Sequence, residues 1–276
     1  MTLSMSGGAA RQRNATYTPA MGSFDVAADA YDRFMGRYSR LLSAQMADLA
    51  GVEAGRPKRV LDVGCGTGAL TAELVARIGA ESVAAVDPSG PFVAAMQARF
   101  PGVDVREAAA ERLPFADGSF DASVAQLVVH FMPDPVGGIG EMRRVTRAGG
   151  VVAACVWDLA GGRAPISALW RAARDLFDDV EDESLRPGAR EGHLGELFRD
   201  AGLAGVVERE LAIGVEHFSF EEWWAPNEEG VGPAGAYVRA LSADARQALR
   251  ERCRALVPDA PFVLSSVAWA ARGLVP

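Results

Sequence analysis

A glycine-rich turn at 64–68, with the sequence Gly-Cys-Gly-Thr-Gly, follows a short apolar run at 60–63. Glycine has no Cβ, so such a turn lets the backbone approach a ligand closely, and the next helix aims its first amides at a polar group. Asp87 comes about twenty positions later, at the end of the next apolar run, where a carboxylate can hold the two hydroxyls of a ribose. The combination predicts a site for an adenosine-containing cofactor.

A second carboxylate, Asp62, stands inside the apolar run just before the glycines. A pyrophosphate would gain nothing from it, whereas a cofactor with an ammonium group would gain a counter-charge; Asp62 could equally bond the amides of the turn. Residues 64–69 also fit the dinucleotide pattern G-x-G-x-x-A, so a nicotinamide-dependent oxidoreductase stays an alternative. Lys58 is the only lysine, so the Tyr-x-x-x-Lys couple of the common short-chain dehydrogenases is absent.

The elements that must position these residues alternate between strand and helix. Apolar runs at 60–63, 82–86, 103–106, 120–126, 150–157 and 205–213 predict strands, and amphipathic segments at 28–50, 69–78, 89–99 and 136–147 predict helices before and between them. This alternation is typical of a parallel sheet covered on both faces, which is the doubly wound α/β class.

Three segments, at 60–68, 111–121 and 141–150, resemble motifs of the class I S-adenosylmethionine (SAM) dependent methyltransferases. The likeness covers roughly 25–160 and is greatest to the methyltransferase type 11 group, which includes ubiquinone and menaquinone biosynthesis enzymes. It implies a Rossmann-like, seven-stranded, mostly parallel sheet with an antiparallel last strand inserted between the fifth and the sixth. It also implies methyl transfer by in-line displacement to an O, N or C atom of a small, partly apolar acceptor, releasing S-adenosylhomocysteine (SAH). A SAM- or SAH-binding protein without catalysis is the other alternative.

The resemblance also implies roles for individual residues. The turn 64–67 would line the methionine part of SAM with Asp62 near its ammonium, Asp87 would hold the ribose, and Pro88 would lie against the adenine. Many relatives carry Asp or Asn where this chain has Ala109. The full set of expected cofactor contacts is Tyr31, Arg37, Asp62, Gly64, Cys65, Gly66, Thr67, Gly68, Asp87, Pro88, Ala109, Ala110, Glu111, Gln126 and Leu127.

The acceptor side is marked by His130, which follows the fourth strand close to where the methyl group would leave. A neutral imidazole there could act as a general base toward a hydroxyl or amine, or could simply line the pocket. Two inserts, at about 158–191 and 217–260, are expected to form a helical cap whose aromatic residues belong to its core or to the acceptor pocket. The acidic run 178–183 is typical of a solvated face. The expected acceptor contacts are His130, Trp157, Trp223 and Trp224.

The chain has 276 residues and a net charge of −8, which disfavours nucleic acid as a partner. No apolar run is long enough to span a bilayer. Three scattered cysteines and three histidines indicate no disulfide framework and no metal site, and they predict a cytoplasmic protein. We expect a disordered tail at 1–22, a SAM-binding core at 23–157, and the cap insertions with the last helix and strands at 158–276, with a homodimer left open.

Overall fold

The computed structural model describes residues 28–56, 58–178, 180 and 182–276 and contains a seven-stranded sheet with the order β3-β2-β1-β4-β5-β7-β6. The strands from β1 to β5 pair in parallel, and β7 runs antiparallel to both of its neighbours. In chain order the strands are β1 (Val60–Val63), β2 (Val83–Asp87), β3 (Asp104–Glu107), β4 (Phe120–Gln126), β5 (Thr146–Trp157), β6 (Ala204–His217) and β7 (Phe262–Leu274).

Helices cover the sheet and fill the two long connections after β5 and β6. A π-helical turn, Asp32–Gly36, joins the first two of them. They are α1 (Ala28–Tyr31), α2 (Arg37–Leu49), α3 (Ala69–Ile78), α4 (Gly90–Arg99), α5 (Pro135–Val145), α6 (Ser167–Leu176), α7 (His193–Asp200), α8 (Phe220–Glu228), α9 (Gly232–Ala240) and α10 (Ala243–Arg254).

The central strands are buried on both faces. Every residue of β1 and β2 is buried, and apolar clusters lie on the two sides of the sheet, one including α2 and α3 and the other α5 and α7. This explains the near-continuous apolar runs that mark these strands in the sequence. Asp62 is the one polar residue of β1 and therefore lies in the interior of the sheet.

The predicted topology is confirmed, including a last strand that is antiparallel and lies between the fifth and the sixth. β7 pairs with β5 from Val151↔Leu274 to Trp157↔Ala268, and it pairs with β6 along its other edge. The bounds of several elements differ from the prediction. β5 begins at Thr146 rather than at 150, so the helix expected over 136–147 ends at Val145. The helix expected over 28–50 is interrupted by the π-helical turn, and β6 continues to His217, beyond the expected 213.

The insert after β5 contributes α6, and the insert between β6 and β7 contributes α8, α9 and α10, with α6 packed against α10. The boundaries of the predicted core and cap stay a prediction, and the tail predicted at 1–22 lies outside the described residues. Within the described ranges, no helix has both the length and the apolar character needed to cross a membrane.

Candidate functional site

The glycine turn is fixed by backbone hydrogen bonds to the end of β2. The amides of Gly64 and Cys65 donate to the carbonyl of Val86 at 2.8 and 3.0 Å. At Gly64, φ is +70°, and a Cβ would lie 2.5 Å from a methyl of Val128, so only glycine fits there. At Gly66, φ is +51° and a Cβ would meet only the ring of Tyr31, at 3.9 Å. The turn is thus tight on the sheet side and open on the side where a ligand would approach.

The Asp87 carboxylate lies directly against this turn. Its Oδ2 accepts the amide of Gly66 and its Oδ1 accepts the amide of Ser89, both at 2.9 Å. The side chain is 7% exposed, and this burial raises the pKa of its carboxyl group, although the two amide hydrogen bonds oppose the shift. Each carboxylate oxygen can accept more than one hydrogen bond, so both can still receive a hydroxyl.

Asp62 lies one strand away and is more deeply buried. Its Oδ2 accepts the Thr71 hydroxyl of α3 at 2.6 Å. Burial raises the pKa of Asp62 to about 7, with a further increase from the charge of Asp87. Asp62 therefore bonds a hydroxyl of α3, whereas Asp87 bonds the amide of Gly66 in the turn.

A cavity of about 310 Å³, the loop cavity, lies between the turn, α2 and the end of β4. The Gln126 amide nitrogen donates to the Ser39 carbonyl and the Ser43 hydroxyl, whereas its Oε1 is buried and has no hydrogen-bond partner among the described residues. A buried acceptor without a donor is costly, so this cavity suits a ligand with N–H groups or a cationic group. Its lining residues are Tyr31, Ser39, Asp62, Gly64, Cys65, Gly66, Thr67, Ala69, Leu70 and Gln126.

The segment from α1 through the π-helical turn lies against the glycine turn. The Thr67 hydroxyl donates to Asp32, and Arg99 donates to the Thr67 carbonyl at 3.0 Å. Burial, together with the charges of Asp87 and Asp32, raises the pKa of Tyr31. The Tyr31 ring meets Phe92 of α4 edge-on, with centroids 5.5 Å apart.

The loop that follows β3 begins beside Asp87, because the amide of Ala108 donates to the Asp87 carbonyl at 3.1 Å. Pro88 and Ala109 are exposed at this edge, and Ala110 is buried in the cluster beneath it. Glu111 accepts the amide of Asp134 at 3.4 Å. The first part of this loop therefore lies at the edge of the sheet where β2 ends, and Glu111 ties it to the start of α5.

A second cavity, the lid cavity, has a volume of about 430 Å³ and is mostly apolar. Leu127 marks the boundary with the loop cavity: its φ of 62° is the only positive value at a described non-glycine residue, and its amide donates to Cys155 at 2.9 Å. Gln126 thus lines the loop cavity while Leu127 lines the lid cavity, and Tyr31 lines both. The lid cavity is lined by Tyr31, Phe34, Met35, Leu127, His130, Phe131, Trp157, Leu159, Ile166, Glu183, Gly232, Pro233 and Ala234.

His130 and Trp157, two of the four residues expected at the acceptor, both line this lid cavity. His130 is 5% exposed, and its Nδ1 has no hydrogen-bond partner among the described residues. Burial, and secondarily the charge of Arg186, lowers the pKa of His130 to about 3, so its ring is neutral at physiological pH. The Trp157 indole N–H is likewise buried without a partner in the described part of the chain.

Three residues expected at the site lie elsewhere. The Arg37 guanidinium donates to Glu222 at 2.8 Å and to the Glu216 carbonyl at 2.7 Å. The Arg37 and Glu222 side chains line a third cavity of about 300 Å³, the Arg37–Glu222 cavity, which shares Phe34, Met35 and Ile166 with the lid cavity. Trp223 lines that cavity and donates its indole N–H to Pro165 at 3.3 Å. Trp224 is fully buried in the cap, where its ring stacks on Phe220. The structure thus brings none of the three to the loop cavity or the lid cavity.

Glu183 lines the lid cavity although its sequence context does not mark it as a site residue. The expected solvated face at 178–183 holds for Asp178, which is exposed, but is wrong for Glu183, which is 4% exposed and lines the lid cavity. Its Oε2 accepts the indole N–H of Trp170 at 3.2 Å, and burial raises the pKa of its carboxyl group. Nothing in the run distinguishes Glu183 from its acidic neighbours, because its burial depends on packing against α6.

The described part of the chain contains no cluster of His, Cys, Asp or Glu side chains able to hold a metal ion.

Residues 61–154 match the family model described as a methyltransferase domain. The demethylmenaquinone methyltransferase of Beutenbergia cavernae is 32% identical over 212 residues, which cover 70% of this chain and 86% of the relative.

Two solved structures share the fold. The first is a Bacillus halodurans C-125 protein assigned as a methyltransferase, with a TM-score of 0.55 and 16% identity, covering 85% of this chain and 98% of that one. The second is geranyl diphosphate C-methyltransferase from Streptomyces coelicolor, solved with Mg²⁺, geranyl diphosphate and SAH. It has a TM-score of 0.50 and 16% identity, covering 84% of this chain and 78% of that one.

Proposed function

Because the chain belongs to the class I SAM-dependent methyltransferases of the ubiquinone and menaquinone type, we propose that its loop cavity holds SAM and its lid cavity holds a quinol-type acceptor. The membership rests on the matched domain and on the relative that is 32% identical over most of its length. SAM is accordingly the cofactor, and a small molecule is methylated. The assignment of each cavity and of the acceptor class is the proposal.

The residues that line the loop cavity, together with Asp87 beside the turn, fit SAM. The unpartnered Oε1 of Gln126 and the buried carboxylate of Asp62 suit the ammonium of its methionine part, and the two oxygens of Asp87 suit the ribose hydroxyls. The space beside Gly66 leaves room for the methionine part of SAM. When bound, SAM supplies an electrophilic methyl group on a positively charged sulfur.

The observation that carries the proposal is the shared wall between the two cavities. Tyr31 lines both, and the turn at Leu127 directs consecutive residues of one strand end to different cavities. A methyl group held at this boundary can face an acceptor in line without crossing open solvent. Such positioning supplies much of the rate of a displacement reaction. The buried aromatic residues around it exclude water that would compete for the methyl group.

The lid cavity supports an aromatic, largely apolar acceptor. The aromatic side chains of Tyr31, Phe34, Phe131 and Trp157 line it, as is usual for pockets that bind ring systems. The relative from Beutenbergia cavernae is a demethylmenaquinone methyltransferase, and a quinone becomes a carbon nucleophile only after reduction to the quinol. The neutral His130 ring can accept a hydrogen bond from a quinol hydroxyl, whereas a pKa of about 3 makes it a weak base.

The test is product analysis with SAM and reduced demethylmenaquinone carrying a short isoprenoid chain. We expect SAH and a quinol heavier by one methyl group on carbon, with no product from the oxidised quinone. The Asp87→Ala variant is the control for cofactor-dependent turnover. Failure of the wild type to methylate the quinol, under conditions where it binds SAM, would contradict the proposed acceptor class.

A further inference from the structure

We infer that Glu183 is the residue that recognises a hydroxyl or N–H group of the acceptor and thereby selects the reduced quinol over the quinone. The inference rests on the proposed function, because it takes the lid cavity as the acceptor site. Glu183 comes from the insert after β5, whereas His130 and Trp157 lie at or just after the ends of strands.

A carboxylate at this position needs an explanation. Charged side chains are seldom buried unless they are paired, and Glu183 is 4% exposed in a mostly apolar cavity. Trp170 satisfies Oε2 with one hydrogen bond at 3.2 Å. Arg186 Nε lies 3.7 Å from Oε1, so the two side chains form an ion pair, but this distance is too long for a hydrogen bond. Among the described residues, Oε1 therefore has a counter-charge beside it and no hydrogen-bond donor.

The carboxylate is also held in place. Arg186, three residues further on, donates to the His130 carbonyl at 3.2 Å, and its guanidinium carbon lies 5.3 Å from the centroid of the Phe131 ring. Trp170 fixes the other side from the rigid helix α6. Arg186 thus ties the insert to the end of β4, so Glu183 and His130 stand in one cavity with a defined relation to each other. Such support around a polar group is what a selective binding site requires.

The polar groups of the cavity determine which acceptor it prefers. The Glu183 carboxylate and the neutral His130 ring can accept hydrogen bonds from two hydroxyl groups. A quinone offers only carbonyl oxygens, which cannot donate a hydrogen bond to Glu183 or to His130. A quinone oxygen facing Glu183 would also be repelled by the carboxylate oxygen. A site built to bond a hydroxyl rejects analogues that lack it far more strongly than an apolar pocket can. The Trp157 indole N–H remains available for a ligand oxygen.

The test compares two probes, 1-naphthol and 1-methoxynaphthalene, by calorimetric titration of the full chain saturated with SAH at about pH 8. The probes share the ring system, but only the first can donate a hydrogen bond. We expect the wild type to prefer 1-naphthol by about tenfold or more, the usual size of a hydrogen bond to a charged group. Glu183→Gln should abolish most of this preference, and Glu183→Ala should behave alike if it folds.

The Gln variant keeps an oxygen for Trp170, so it retains the structural role and loses the charge. Glu191→Gln, an exposed site in the same insert, is the matched control and should keep the wild-type preference. A Glu183→Gln protein that melts like the wild type and still prefers 1-naphthol would overturn the inference. Equal binding of both probes by the wild type would also overturn it but leave the proposed function intact, whereas binding of neither would overturn both.

Discussion

The loop cavity and the lid cavity adjoin each other but are built in different ways. The loop cavity is lined mainly by one strand–turn–helix unit, within 62–70, and by Gln126 at a neighbouring strand end, while Asp87 at the other neighbouring strand end accepts an amide of the turn. Backbone hydrogen bonds and positive φ angles fix these positions. The lid cavity is assembled from α1, the end of β4 and both inserts. Packing between distant segments determines its shape. The loop cavity is therefore specified locally, and the lid cavity only by the complete fold.

The largest effect is expected for Asp87→Ala. Removing the carboxylate deprives the ribose of charge-assisted hydrogen bonds, so the affinity for SAH should fall by about 10- to 150-fold, the range expected of one such bond. Glu107 is the register partner of Asp87 on β3 and is exposed, so Glu107→Ala is the control and should bind normally. Calorimetric titration with SAH measures both. An unchanged affinity in Asp87→Ala would refute the ribose assignment.

Asp62→Asn should lower SAM affinity by about tenfold, because the ammonium loses its counter-charge. The same change should stabilise the free protein at pH 8. Burial raises the pKa of Asp62 to about 7, above its value of about 3.9 in an unfolded chain. The stability that depends on neutral Asp62 is thus fully present below about pH 4 and lost as the pH rises through 7.

Thermal melting of wild type and Asp62→Asn from pH 4 to 8 measures this second effect. The variant cannot ionise at this position, so it should gain on the order of 1–3 kcal/mol over the wild type at the alkaline end. Parallel pH profiles for the two proteins would show that Asp62 is already ionised in the free protein at low pH.

Leu127→Gly tests the boundary between the cavities. Glycine accepts the φ of 62° without strain but removes apolar surface from the lid cavity alone. We expect the KM for the quinol to rise several-fold while SAH affinity stays within about twofold of the wild type, since a leucine contributes to acceptor binding through buried apolar area. Leu127→Ala, which removes the same surface but keeps the strain, is the companion variant. Weakened SAH binding in both would move Leu127 to the cofactor side, where the sequence analysis had it.

The smallest effect on function is expected for the two tryptophans of α8. Trp223→Phe and Trp224→Phe should leave the KM for the quinol unchanged, because neither ring lines the lid cavity. Trp224→Phe should still lower stability by about 1–2 kcal/mol, as a buried large-to-small change does. Trp157→Phe, which alters the lid cavity, should raise KM. An increase of KM in Trp223→Phe but not in Trp157→Phe would place the acceptor in the Arg37–Glu222 cavity instead.

Sequence reasoning reached the fold and the loop cavity because short-range rules determine both. The turn at 64–68, its preceding strand and its following helix occupy the predicted positions, and Asp62 and Gln126 line the same cavity as the turn. The position of Arg37 could not be predicted from local rules. It follows the π-helical turn, and its partner Glu222 comes from α8, 185 residues away. No local pattern announces such a contact.

Glu183 is a second residue whose surroundings the sequence does not predict. Its sequence neighbourhood is acidic, which suggests solvent, whereas Trp170 on α6 and the apolar rim of the lid cavity bury it. His130 and Trp157 could be anticipated because both lie at or just after the carboxyl ends of strands, where parallel sheets place their sites. No such positional rule applies to residues of the inserts.

A crystal structure of the complex with SAH tests the central claim most directly, because it locates the sulfur from which the methyl group leaves. The account predicts that the amino-acid part of SAH contacts Asp62 and Gln126. It also predicts that the sulfur lies at the boundary formed by Tyr31 and Leu127, facing the cavity of His130 and Glu183. A sulfur that faces the Arg37–Glu222 cavity, or a SAH molecule bound outside the glycine turn, would contradict it.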